Sequence, residues 1–95
     1  MSSFTLVLPE DFQDYAWEVE AKGWFSLAKL SASGKSYRLN FYDGVRLQQT
    51  IEDGLERGGV FFEPNLVVVS SLTRANMERA AEVLVQSALE SLIAE

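Results

Sequence analysis

The sequence contains no cysteine and no histidine. Without cysteine there is no disulfide, no zinc–thiolate site and no thiol nucleophile. Without histidine the chain lacks the commonest general base at neutral pH and the commonest transition-metal ligand. Acid–base chemistry is left to Asp, Glu, Lys and Tyr, and no catalytic motif is present. A metal site would need carboxylates converging from separate elements. Only local clusters are visible, so neither metal nor cofactor is expected. Basic residues are few, 8 against 14 acids, for a net charge of −6. A uniformly acidic small protein repels phosphate backbones, which weighs against nucleic acid as a partner. No apolar run approaches the ~20 residues of a membrane span. The N-terminus lacks the basic n-region and long apolar h-region of a signal peptide. The expectation is a soluble cytoplasmic protein with no membrane partner.

What is present is core-forming material. Of the 95 residues, 47% are apolar and 12% aromatic, which excludes a disordered chain. The length suits one α+β domain over residues 1–95, burying roughly 60–65% of the surface its unfolded chain exposes.

Residues 65–93 organise the reading. Leu66, Val67, Val68 and Val69 form a short β-branched run typical of a covered strand. Ser70, Ser71 and Thr73 supply helix-capping groups. Then Met77, Ala80, Ala81, Leu84, Val85, Ala88, Leu89 and Leu92 recur at three- and four-residue steps, which predicts a long helix from about residue 74 to 93.

Upstream, residues 4–8 read as a strand. Residues 9–22 read as a helix, with Pro9 at its first position, acids in its first turn, Lys22 in its last and Gly23 beyond it. A strand reading competes, because Tyr15, Trp17, Val19 and Ala21 also alternate with polar neighbours. Residues 24–31 and 36–42 flank a polar break at Gly34, the pattern of a hairpin. The second run has a clear face of Tyr37, Leu39 and Phe41. The first does not, because Trp24 and Leu30 share one parity while Phe25 and Leu27 share the other. Asp43 is a candidate N-cap for a helix to about Arg57, with Leu47, Ile51 and Leu55 along its buried side and Gly58-Gly59 as its stop. Gly54 inside it costs about 1 kcal/mol relative to alanine, which marks either a close contact or a weak helix. Residues 60–70 read either as one bent strand or as a hairpin turning at Pro64 and Asn65.

The order βαββαβ resembles the ferredoxin-like α/β plait, here with an added C-terminal helix: an antiparallel sheet of about four strands with helices packed on it. That resemblance is topological and implies no activity. If residues 9–22 form a strand, the alternative is a four- or five-stranded antiparallel sheet covered by two helices.

Two surfaces stand out. On the helix reading Trp17 lies about 140° from the apolar face and shares the outside with Glu10, Asp14 and Glu18, a candidate surface for a protein partner. Phe25, Leu27, Leu89, Leu92 and Ile93 form a candidate oligomer surface, since a sheet apolar on both faces needs more cover than helices on one side supply. A homodimer, or binding to another protein, is the expectation that follows from this reading. Lys29, Lys35 and Arg38 with Tyr42 make a thin basic–aromatic group of the kind that binds single strands. Glu52, Asp53 and Glu56 form a second acidic cluster. Arg74 and Arg79 suit ion pairs with Glu78 and Glu82, and the hydroxyls at residues 70–73 suit an N-cap more than an anion site. The leading functional expectation is a protein-interaction or self-assembly module. A small-molecule binder or a carboxylate- and tyrosine-based enzyme is the alternative, and a single-stranded nucleic-acid binder the third.

Overall fold

Leu6, Phe25, Ala28, Leu30, Ala32, Tyr37, Leu39 and Phe41 all project from one face of a single sheet into a common core. The computed structural model describes residues 3–95. Its elements are β1 (Phe4–Val7), α1 (Phe12–Lys22), β2 (Trp24–Ala32), β3 (Lys35–Tyr42), α2 (Gly44–Gly58), β4 (Leu66–Val68) and α3 (Arg74–Ser87), followed by a 3₁₀ turn at Leu89–Ser91. The fold is α+β, and residues 9–22 contain a helix rather than a strand.

The sheet differs from the expected one. Its order is β1-β2-β3-β4, with β1–β2 and β2–β3 antiparallel and β3–β4 parallel. A ferredoxin-like plait would interleave strands from two βαβ units. Here each strand lies beside its sequence neighbour, and the sheet is mixed, not wholly antiparallel. Only the β3–β4 pair needs a crossover, and α2 supplies it. β4 is a three-residue strand, shorter than either expected form. Residues 60–63 are irregular, and the chain enters β4 through a turn at Pro64 and Asn65, where Asn65 adopts φ 53°.

The helices also divide differently. Val19, Phe12, Met77 and Ala81 pack against the core, so α1 and α3 lie on that face. Tyr42 and Trp24 project from the opposite face. The Tyr42 hydroxyl donates to Glu63 at 2.7 Å, and the Arg46 guanidinium sits 5.9 Å from the Trp24 ring centre. α2 and the segment after it therefore cover part of that second face, at the β3–β4 side. The expectation that all helices share one side is corrected.

Local chemistry explains the element ends. Pro9 has no N–H and ends β1. α1 begins only at Phe12, three residues later than expected, and its backbone departs from helical geometry at Tyr15. Gly23, at φ 72°, closes α1 by donating to the Val19 carbonyl. The β2–β3 turn places Ser33 and Gly34 at φ 53° and 75°, the primed geometry that matches strand twist. Asp43 caps α2 through the Arg46 N–H at 2.8 Å. Gly54 marks a close contact, since a Cβ there would lie 3.3 Å from the Phe61 ring. Thr73 caps α3 through the Asn76 N–H.

α3 stops at Ser87, well short of Ile93. Leu89 and Leu92 turn back against the core, and the Ser87 hydroxyl donates to the Val83 carbonyl. The tail then runs beside β3 beyond the end of β4, where the Glu95 N–H donates to the Ser36 carbonyl at 2.8 Å.

Candidate functional site

β1 is four residues long and pairs only with residues 29–32 of β2. The chain leaves the sheet at Pro9 and returns above it as α1. The first half of β2 therefore has β3 on one side and no strand on the other. Among the described residues, the backbone groups of residues 25–28 that point away from β3 have no strand partner.

A β-bulge sits in this bared half. Phe25 pairs with Phe41 and Ala28 with Leu39, so Ser26 and Leu27 together oppose Asn40. The extra residue reverses the side-chain parity. Phe25 thereby joins Ala28, Leu30 and Ala32 in the core at 5% exposure, while Trp24 and Leu27 face outward at 38% and 55%. This resolves the conflicting faces of residues 24–30.

Between α1 and the bared edge lies a groove of about 350 Å³, lined by Tyr15, Val19, Trp24, Phe25 and Leu27. Its lining is mostly apolar. Glu18, Lys22 and Ser26 supply its polar groups. Desolvation of the Tyr15 hydroxyl raises its pKa, and the negative charge of the neighbouring Asp11 carboxylate adds to that. No ion pair joins Glu10, Asp11, Asp14, Glu18, Glu20 or Lys22 to another residue among the described residues. A second, larger groove of about 530 Å³ runs between β1 and α3, but Glu78, Arg79 and Glu82 give it charged walls.

The expected partner surface is split. Trp17 is 69% exposed, and Glu10, Asp14 and Glu18 are exposed as well. Trp17 lies roughly 200° around α1 from Tyr15, so it faces away from the groove. Glu18 alone belongs to both. The expected oligomer residues do not gather on one surface. Phe25 is in the core, Leu89 and Leu92 pack against it, and Leu27 lines the groove. Ile93 has an exposed side chain and a tethered backbone.

The basic–aromatic group does not form an open stacking platform. Tyr42 is 3% exposed, and Lys29 pairs with Glu95 at 3.4 Å. The hydroxyls before α3 serve its start: Thr73 is the cap, and the Asn76 amide donates to the Ser71 carbonyl and hydroxyl, each at 3.0 Å. Arg74 pairs with Glu78 as expected. Among the described residues no side chain group of metal-ligating type is assembled, and no polar or charged residue is buried. Among the described residues no helix is long and apolar enough to cross a membrane.

Sequence reasoning missed the groove because it depends on where β1 stops. Two signals bear on it: Pro9 shortly after the first strand, and the parity conflict that sets Trp24 and Leu30 against Phe25 and Leu27. Comparison of the chain with protein-family models, with curated proteins and with solved structures gives no match.

Proposed function

We propose that this protein is an interaction module that engages another protein through the groove between α1 and the bared half of β2. The observation that carries the reading is an indole and a leucine, Trp24 and Leu27, left partly in water beside an unpaired strand edge. Large apolar side chains around a preformed concavity are the usual centre of a binding surface. The small-molecule and enzyme alternatives receive less support. Sites of that kind use convergent, held polar groups, and this lining offers Glu18, Lys22 and Ser26 at its margin.

A random peptide library selected on the intact protein, followed by amide chemical-shift mapping of the recovered peptides, tests this. The expected result is a continuous set of shifts on Tyr15, Val19 and residues 24–28. Shifts confined to other surfaces would remove the groove as the site.

A specific observation supports self-assembly as a second reading. Leu55, Val60 and Phe62 are exposed near the end of α2, Phe62 at 79%. They lie apart from the groove and adjoin the tight Gly54–Phe61 contact.

A further inference from the structure

The end of α3 is imposed from outside the helix. α1 and α2 stop at Gly23 and Gly59, both left-handed, which is a common local signal for a helix end. α3 lacks that signal. No glycine or proline occurs from residue 74 to residue 95, and the α3 C-cap, Ala88, sits at φ −143°. Ala88, Leu89, Glu90 and Leu92, just beyond the stop, are strong helix formers. The apolar spacing of Ala81, Leu84 and Val85 also runs on through Ala88, Leu89 and Leu92.

We infer that residues 88–95 are a releasable strap. Docked, they form the turn and tail described above. Released, residues 88–93 continue α3 as helix and leave the edge of β3 at Ser36 and Arg38 bare.

The contacts that hold the docked form come from residues distant in sequence. Leu89 and Leu92 pack against the core. The Asn65 side chain bonds both the N–H and the carbonyl of Ile93. The Glu95 N–H donates to the Ser36 carbonyl, and its carboxylate accepts from the Ser36 hydroxyl and pairs with Lys29. Two local features assist them. The Ser87 hydroxyl donates to the Val83 carbonyl, a bond that bends helices. Glu90 and Glu95 are unfavourable near a helix C-terminus. The docked form therefore predominates.

Helix, rather than a loose tail, is the released form because α3 is already there to grow from. Adding a residue to an existing helix gains a hydrogen bond without the cost of a nucleus. The step is also small. Ser91 and Leu92 already donate to the carbonyls of Ala88 and Leu89, one residue short of the α-helical partner. Six added residues lengthen α3 by about 9 Å.

The test uses the full chain with Asn65→Gly, which tolerates the left-handed backbone and removes the hold on Ile93. Leu92→Gln loosens the strap from the core side with the clamp intact, and glutamine is itself a good helix former. Backbone carbon chemical shifts of residues 88–93 are the readout. They should move at least halfway to the values of residues 77–85 in both variants, while those of β1, β2 and β3 stay in place. Proton contacts between residues three apart should appear across Ala88. A helical move in either variant alone supports the strap. Random-coil shifts over residues 88–93 in both overturn it, because the tail then only frays. Parental shifts in both, with the Ile93 amide exchanging less than twofold faster, overturn it as well, because nothing is then released.

Discussion

The side-chain amide of Asn65 holds the backbone of Ile93 from both sides. Its oxygen accepts from the Ile93 N–H at 2.8 Å, and its nitrogen donates to the Ile93 carbonyl at 2.9 Å. The same nitrogen donates to the Arg38 carbonyl, also at 2.9 Å. One side chain thus stands in for a strand between β3 and the C-terminal tail. The left-handed backbone at Asn65, which asparagine tolerates better than most residues, aims it there.

Asn65→Ala removes all three bonds and places a Cβ-bearing residue without a polar side chain at φ 53°. The expected loss is about 2–3 kcal/mol. Asn65→Gly keeps the backbone and loses only the bonds, so its cost should be smaller, about 1–2 kcal/mol. Urea unfolding measures both. In each variant the Ile93 and Glu95 amides should exchange faster than those of β2, and equal protection of the tail in variant and parent would contradict the clamp.

Gly23 joins two helix ends. It closes α1, and its carbonyl accepts from the Asp43 N–H at 2.9 Å. A Cβ on Gly23 would run into the Asp43 carboxylate that caps α2. Gly34 has a similar φ with open space around it. Gly34→Ala should therefore cost about 1 kcal/mol for backbone strain alone. Gly23→Ala should cost at least twice that, because it also displaces a cap worth about 1 kcal/mol. Similar midpoints for the two variants in urea would show that the Asp43 contact is unimportant.

Tyr42 should titrate late. Burial of its hydroxyl, then the hydrogen bond to Glu63 and the charge of that carboxylate, push its pKa up to about 12, against the opposing pull of Arg46. A raised folded pKa stabilises the protein in full below the unfolded value of 10.0. As pH rises from there toward 12 the unfolded chain releases its proton first, and stability falls by on the order of 2 kcal/mol. Glu63→Gln should move the titration part of the way back toward 10, since burial remains. Phenolate absorbance against pH reads this directly. A Tyr42 midpoint unchanged in Glu63→Gln would remove the carboxylate from the explanation.

Self-association through the end of α2 predicts a mass that rises with concentration in light scattering. Phe62→Ser, at an exposed position, should abolish that rise with less than about 0.5 kcal/mol change in stability. A monomeric mass throughout a dilution series of the parent protein would dispose of this second reading.

Much of the local structure was legible because it rests on local chemistry. Asp43 and Thr73 announce helix starts through their own side chains, Gly23 and Gly59 announce helix ends, and the Gly34 turn joins two β-type runs. These depend on residues within one turn of each other. The alternation of Tyr37, Leu39 and Phe41 fixed the buried face of β3 for the same reason.

Contacts between distant segments decided the rest. Strand order depends on which edges meet, and Leu66, Val67 and Val68 carry no signal that they lie parallel to β3. The apolar stripe of α3 continues through Leu89 and Leu92, so sequence period alone extends the helix. Burial of those two leucines against the core and the hold of Asn65 on Ile93 favour a turn instead. The groove needs three separated events at once: β1 ending at Pro9, α1 crossing above, and the bulge at Ser26 and Leu27 turning Phe25 inward. Each is local, but their coincidence is a property of the folded chain.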